Sequence, residues 1–323
     1  MMFSRTMHGN LLFLKQLQFL PKVLFCYEHT RHRKKPPGGD RVLKTKSDIF
    51  QFNAWDNVEW DAEQEAQALA AVQKNSTQKM TTEDQNKFEN EADKFWDSFY
   101  DIHQNRFFKD RHWLFTEFPE LAPKEGCTEA RQIFELGCGV GNTILPILKY
   151  SQEPNLKVYG CDFSAKAIDI FRENPEFDEK RCQVFVMDAT ATDWEVPFEK
   201  ESLDIIVLIF VLSAINPEKM TIVAENCFKY LKPGGLVLFR DYGRYDLAQL
   251  RFKAGKCLQE NFYVRGDGTR VYFFEQEELK DLFCGAGFVE EQNVVDRRLQ
   301  VNRGRMLKMY RVWIQKKFRK PMN

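Results

Sequence analysis

Three glycines two residues apart, Gly137, Gly139 and Gly141, sit in Phe134-Glu135-Leu136-Gly137-Cys138-Gly139-Val140-Gly141-Asn142-Thr143, where an apolar run breaks into a turn that opens a helix. At the end of a parallel strand such a turn lets backbone approach a ligand, with unpaired helix N–H groups and the positive helix end facing it. A dinucleotide turn reads G-x-G-x-x-G; position 142 is Asn, and the spacing G-x-G-x-G favours S-adenosylmethionine over a nicotinamide cofactor. Two acids agree. Asp162 ends the apolar run Leu156 to Cys161, where a ribose hydroxyl pair would be held about 20 residues past the glycines. Asp188 follows the run Cys182 to Met187, placed for an adenine amino group.

Elements that position these residues are legible around them. Strands are expected at Gln132 to Leu136, Leu156 to Cys161, Cys182 to Met187 and Leu203 to Ile209, the last almost purely aliphatic, as a strand covered on both faces should be. Helices are expected from Asn142 to about Tyr150 and after Ser164, a plausible cap. Leu231-Lys232-Pro233-Gly234-Gly235 reads as a helix stop before a strand at Leu236 to Phe239. Phe262 to Phe274 reads as a hairpin around Gly266-Asp267-Gly268, followed by a helix at Gln276 to Ala286 and strands at Phe288 to Asp296 and Met309 to Ile314. With the glycine turn and the two acids, these elements match the class I methyltransferase, Rossmann-like type of α/β fold, and the expected architecture is a seven-stranded, mostly parallel sheet with helices on both faces over 129–318. An N-terminal helical region over 48–121 precedes it, with helices at Asp61 to Lys74 and from about Thr82; the second carries Phe88, Ala92, Phe95, Trp96, Phe99 and Tyr100 at helical spacing.

Composition narrows the function classes. Lysine plus arginine equals aspartate plus glutamate at 47 each, so any nucleic-acid surface must be a local patch. The eight cysteines are scattered without a C-x-x-C pair or histidine clusters, which argues against a metal site or a disulfide framework and for a reducing compartment. Residues 1–47 read as a leader; its first 39 residues hold seven Lys/Arg against Glu28 alone, so a mitochondrial presequence and a disordered leader both fit. Its apolar run is too short and too interrupted to span a membrane.

The motifs Phe95-Trp96-Asp97-Ser98-Phe99-Tyr100, Phe107-Phe108-Lys109-Asp110-Arg111-His112-Trp113, Leu136 to Asn142, Ile209-Phe210-Val211-Leu212-Ser213-Ala214, Arg240 to Asp246 and Phe262 to Arg270 together resemble the eukaryotic tRNA N3-methylcytidine methyltransferases, from about Phe50 to the C-terminus. The resemblance is nearest to the cytosolic branch acting on cytidine 32 of threonine and arginine tRNAs; a sister branch is mitochondrial. It implies S-adenosyl-L-methionine as cofactor, contacted by Trp96, Tyr100, Gly137, Asp162, Asp188 and Ile209, with Gly139 in the same turn. It also implies a tRNA anticodon stem-loop as partner and, in some members, an accessory synthetase-like anticodon-binding protein.

Cytosine N3 carries an in-plane lone pair and no proton, so methyl transfer asks for alignment more than for a base. The product ring is cationic, and a carboxylate with aromatic faces beside it would stabilise that charge. Asp110, Asp241, Phe108 and Tyr242 are the candidates. For RNA, Lys109 and Arg111 interleave with aromatics, Arg244, Arg265 and Arg270 lie near the strand ends, and Arg297, Arg298, Arg303 and Arg305 belong to a stretch from Asp296 to Lys320 with ten Lys/Arg against one acid. Two other readings are a class I methyltransferase acting on protein or a small molecule, and an inactive cofactor-binding module associated with RNA or actin.

Overall fold

The computed structural model describes residues 36–124, 126 and 128–322; the leader expected over 1–47 lies outside them through residue 35. The first elements are a short strand β1 (Ala54–Trp55) and helices α1 (Ala62–Asn75), α2 (Thr82–Asn90), α3 (Ala92–His103) and α4 (Leu114–Glu117). Then come β2 (Arg131–Leu136), α5 (Ile144–Tyr150), β3 (Leu156–Asp162), α6 (Ala165–Arg172), β4 (Cys182–Val186), β5 (Leu203–Ile209), α7 (Met220–Tyr230) and β6 (Leu231–Tyr242). The chain ends through α8 (Leu247–Leu250), β7 (Cys257–Gln259), β8 (Phe262–Val264), β9 (Arg270–Tyr272), α9 (Gln276–Gly285), β10 (Val289–Asn302) and β11 (Leu307–Arg319).

The main sheet runs β1-β10-β11-β6-β5-β2-β3-β4. Strands β4, β3, β2, β5 and β6 are mutually parallel, and β11 inserts antiparallel between β6 and β10. The seven expected strands are thus joined at the edge by an eighth, because Ala54 and Trp55 pair with Gln300 and Leu299. The region expected to be helical therefore also contributes to the sheet. Chain order reverses between β2 and β5, and that switch point opens a crevice at the carboxyl ends of the strands.

Both sheet faces are covered, as the aliphatic run of β5 requires. Ile206 and Leu208 pack with Phe134, Val223 and Phe283 in one cluster, while Ile205, Val207 and Ile209 pack with Ile168, Phe171 and Leu148 in the other. Burying side chains of this size stabilises by about 1.5–3 kcal/mol each before conformational entropy is subtracted.

Three local differences from the expected elements have physical causes. The helix expected from Thr82 is two helices, because Glu91 leaves helical geometry at φ −112°, ψ 17°; the bend brings Phe88 within 5.2 Å of Phe95. The Lys-Pro-Gly-Gly turn lies inside a strand that starts at the end of α7: Gly234 takes φ +78°, and the ladder shifts register between Leu203, opposite Leu231, and Ile205, opposite Leu236. The Phe262 to Phe274 hairpin forms as expected from β8 and β9, but β7 adds to it, giving a separate three-stranded sheet. Gly268, at φ +86°, lets that hairpin dock on α3, since a Cβ there would sit 2.1 Å from the Phe95 ring.

Candidate active site

The glycine turn follows β2. Gly137, Gly139 and Gly141 hold φ of +61°, +52° and +90°, which side-chain-bearing residues rarely adopt. A Cβ on Gly139 would lie 2.5 Å from the Tyr100 hydroxyl, and one on Gly137 2.3 Å from Val211, so the backbone approach fails with any larger residue. Gly139 N–H donates to Asp162 Oδ2 (2.9 Å) and Ser164 N–H to Oδ1 (2.9 Å). These two bonds lock the carboxylate at the end of β3, while desolvation dominates and pushes its pKa up to about 6. Asp188, just past β4, is exposed; its Oδ1 accepts from Thr190 N–H and Oγ1 (both 2.8 Å).

A cavity of about 1040 Å³ opens over this turn. Its lining includes Trp96, Tyr100, Gly137, Gly139, Asp162, Asp188 and Ile209, every residue assigned to the cofactor. Helix α3 supplies Trp96 and Tyr100 from outside the α/β core, and its Asp97 accepts from Ser164 Oγ (2.5 Å) and Lys166 N–H (3.1 Å). The aromatic stripe of α3 therefore forms the roof of a cavity as well as core. A carboxylate locked at β3, a second at β4 and a glycine cradle without room for a Cβ together suit an adenosine with a charged amino-acid arm.

An outer cavity, also about 1040 Å³, adjoins the first and includes Phe108, Lys109, Tyr242, Arg265, Asp267 and Trp313 in its lining. Trp96, Phe108, Arg111, Phe210 and Ala214 line both cavities and form their common wall. Phe210, absent from the sequence-derived candidates, holds a left-handed φ of +59° and packs 5.1 Å from Tyr242. A phenylalanine in that conformation costs on the order of 1–3 kcal/mol and marks a position fixed by its surroundings. Its place one residue past a buried strand and its presence in the Ile209 to Ala214 motif were the signals that could have pointed to it.

Several expected roles are corrected by burial and partners. Asp241 is fully buried and accepts from Ser213 N–H (2.9 Å) and Tyr242 N–H (2.8 Å); desolvation pushes its pKa up to about 6. It shapes the turns carrying Ser213 and Tyr242 and lines neither cavity. Asp110 is exposed, accepts from Asn142 Nδ2 (3.2 Å) and also lines neither, although its neighbours Lys109 and Arg111 line the outer cavity. Arg111 is no surface cation: its Nη1 donates to Thr143 Oγ1 (2.9 Å) and pairs with buried Glu135 (3.3 Å), whose carboxyl burial lifts to about 7. Arg270 pairs with Glu89, which also binds Lys219 (2.5 Å), and all three line the inner cavity.

The basic stretch divides by strand alternation. Arg298 turns to the face covered by the N-terminal region, where it pairs with Asp296 (2.9 Å), Glu117 (3.4 Å) and Asp56 (3.7 Å). Its neighbour Arg297 points to the other face, over the Trp60 ring at 5.9 Å. Arg303 and Arg305 are exposed at the β10–β11 turn. Arg265 lies over Tyr242 at 5.7 Å, and Arg244 pairs with Glu275 at 2.8 Å. Among the described residues no group of three His, Cys, Asp or Glu could hold a metal ion, and no helix is long and apolar enough to cross a membrane.

Residues 134–237 match the model of a methyltransferase domain family. A tRNA N(3)-methylcytidine methyltransferase of Drosophila melanogaster is 68% identical over 300 residues, covering 92% of each chain. A tRNA N(3)-cytidine methyltransferase of Danio rerio is 54% identical, over 89% of this chain and 90% of its own. A tRNA N(3)-methylcytidine methyltransferase of Schizosaccharomyces pombe is 47% identical, over 87% and 91%. Identity at this level along nearly the whole chain, with the glycine turn and its two carboxylates in place, makes this chain a member of the tRNA N(3)-cytidine methyltransferase family.

Proposed function

We infer that the protein methylates N3 of a cytidine in tRNA, with S-adenosyl-L-methionine held in the inner cavity and the base in the outer one. The carrying observation is the common wall: Trp96, Phe108, Arg111, Phe210 and Ala214 face both compartments. Asp162 would accept from the ribose hydroxyls and Asp188 from the adenine amino group, with Trp96 and Tyr100 closing over them. The bound cofactor supplies an electrophilic methyl group.

The chain's residues then have three tasks. Phe108, Phe210 and Tyr242 present ring faces that hold an unstacked base, a contact worth about 1–3 kcal/mol per base. The same faces stabilise the positive charge that appears on the ring as N3 is alkylated. Arg111, fixed by Glu135 and Thr143, keeps a cation at the wall without exposing it to the RNA backbone. No general base is needed, since N3 has no proton to lose. Turning the base out of its stack costs a few kcal/mol, which contacts from Lys109, Arg265, Arg303 and Arg305 would offset.

The finer reading follows the resemblance: cytidine 32 in the anticodon loop of threonine and arginine tRNAs, in the cytosol, with an accessory synthetase-like anticodon-binding protein in some cases. Mass-spectrometric mapping of nucleosides in tRNA incubated with the protein and S-adenosylmethionine tests it. N3-methylcytidine at position 32 is the expected product; methyl transfer to protein or small molecules alone would overturn the reading. A fluorescent protein carrying residues 1–39 is expected to stay cytosolic, and its import into mitochondria would overturn the compartment.

A further inference from the structure

Across the β6–β11 strand pair from the outer cavity lies a separate cleft of about 820 Å³, lined by Trp60, Leu69, Arg244, Tyr245, Arg297 and Val312 among others. Its cations are incompletely used. Arg297 makes no ion pair among the described residues and lies over Trp60. Arg244 spends Nη1 on Glu275 and lies 5.4 Å over the Tyr245 ring, but its Nε is buried without a hydrogen-bond partner. A buried donor left unmade is costly, and a bound acceptor would satisfy it.

The aromatic side of the cleft is built as firmly. Trp60 lies 6.5 Å from Tyr245 and 5.8 Å from Tyr310. Tyr245 holds φ +65°, a strained conformation for a non-glycine residue, with its N–H bound to Gln249 Oε1 at 2.7 Å. Exposed Lys308 lies two residues before Tyr310 on the same strand face and carries the line of positive charge outward. Glu65, on the α1 wall, is positioned to accept from a base amino group or a ribose hydroxyl.

The cleft and the outer cavity meet at the same strand ends. Tyr242 and Arg311 line one and, within two residues along the chain, Arg244 and Val312 line the other. We propose that this cleft holds a second unstacked nucleotide of the same RNA strand, its base against the Trp60, Tyr245 and Arg297 planes and its phosphate on Arg244 and Arg297. Aromatic planes beside guanidinium groups are how unpaired RNA is held, and donors lacking acceptors favour a polyanion over an apolar peptide. The proposal rests on the RNA reading above.

The test uses the full chain with tRNA as substrate. Arg297→Gln has no ion pair to lose, so it should fold; Arg244→Gln and Trp60→Leu accompany it. We expect the KM for tRNA to rise several-fold to tenfold with little change in kcat and unchanged affinity for S-adenosylhomocysteine. The slope of log affinity against log salt should fall by roughly one unit per phosphate contact removed. Photo-crosslinking with 4-thiouridine-substituted tRNA should join a nucleotide other than the methylated one to the segment holding Tyr245. Unchanged KM and salt slope in Arg297→Gln overturn the cleft assignment and leave the face to a protein partner. A wild-type protein that methylates no tRNA cytidine would instead overturn the functional reading.

Discussion

Asp97 on the roof helix accepts a hydrogen bond from the hydroxyl of Ser164 at 2.5 Å, two residues past the Asp162 carboxylate that closes β3. The same Asp97 oxygen takes the Lys166 N–H, and Lys166 Nζ pairs with Asp101 one turn further along α3 at 2.9 Å. The helix carrying Trp96 and Tyr100 is thus tied to the loop holding Asp162, so roof and floor of the inner cavity are one hydrogen-bonded unit. Asp97→Ala removes both bonds, worth roughly 1 kcal/mol each. We expect faster amide exchange over residues 92–103 and a several-fold weaker cofactor affinity. Unchanged exchange and affinity would show that packing alone seats the helix.

Asp162→Ala should weaken cofactor binding by about 1.5–3 kcal/mol, the worth of a hydrogen bond to a charged acceptor, a loss of roughly tenfold to a hundredfold. Calorimetry with S-adenosylhomocysteine checks it. Wild-type affinity in this variant would remove Asp162 from the ribose site.

The raised pKa of Asp162, about 6, sets a pH dependence with a definite sign. Below about pH 6 the carboxyl is protonated and a weaker acceptor; above it the carboxylate accepts from both ribose hydroxyls. Cofactor affinity should therefore increase as pH rises from 5 to 7 and then level off, with a proton released on binding near pH 6. For the cofactor-free fold the sign is opposite. The folded-state value is raised above the ordinary 3.8 of a free aspartate, so the stability Asp162 contributes is fully present below 3.8 and is lost as pH rises through about 6. Affinity measured across pH 5 to 8 in buffers of different ionisation heat resolves the binding part.

Much of this site was legible because strand register makes short signals specific. Asp162 and Asp188 were placed by the ends of two apolar runs, and Trp96 and Tyr100 by resemblance; all four line the inner cavity. Periodicity alone would have left that aromatic stripe in the core. What did not show was direction and burial. Asp241 lies just beyond an apolar run, with Arg240 between, much as Asp162 ends one, yet β6 continues through it and turns it into a wholly buried acceptor of backbone N–H groups. Arg297 and Arg298 are neighbours in a basic stretch, but a strand sends alternate side chains to opposite faces. Phe210 has no spacing signal, because its importance lies in a backbone angle.

Tyr242 lines the outer cavity and not the inner one. Tyr242→Leu should lower kcat/KM for tRNA by roughly fivefold to a hundredfold, matching about 1–3 kcal/mol of base stacking, with S-adenosylhomocysteine affinity unchanged. An equal loss in both measurements would mean that the substitution disturbs the common wall through Phe210 rather than the base itself.

Arg298 and Arg303 separate structure from RNA binding within one basic stretch. Arg298 is flanked by three carboxylates, with Asp296 only 2% and Glu117 8% exposed at the side chain; Glu117 also accepts from Gly38 N–H at 3.0 Å. Replacing Arg298 with alanine leaves Glu117 without its cation and Asp296 with Arg240 alone. Breaking a fully buried pair costs about 3–5 kcal/mol, and at 26% exposure of the arginine side chain the loss should be nearer 1–3 kcal/mol, lowering Tm by several degrees. Its effect on tRNA affinity at a temperature where the variant is folded should be small. Arg303, exposed and bound among the described residues only to the Gln51 carbonyl at 3.5 Å, should behave the other way: alanine there leaves Tm unchanged while the salt slope of tRNA binding falls by roughly one unit. If Arg298→Ala keeps its Tm and loses RNA affinity instead, the carboxylates around it do not hold it, and the β10 face it occupies belongs to the RNA path.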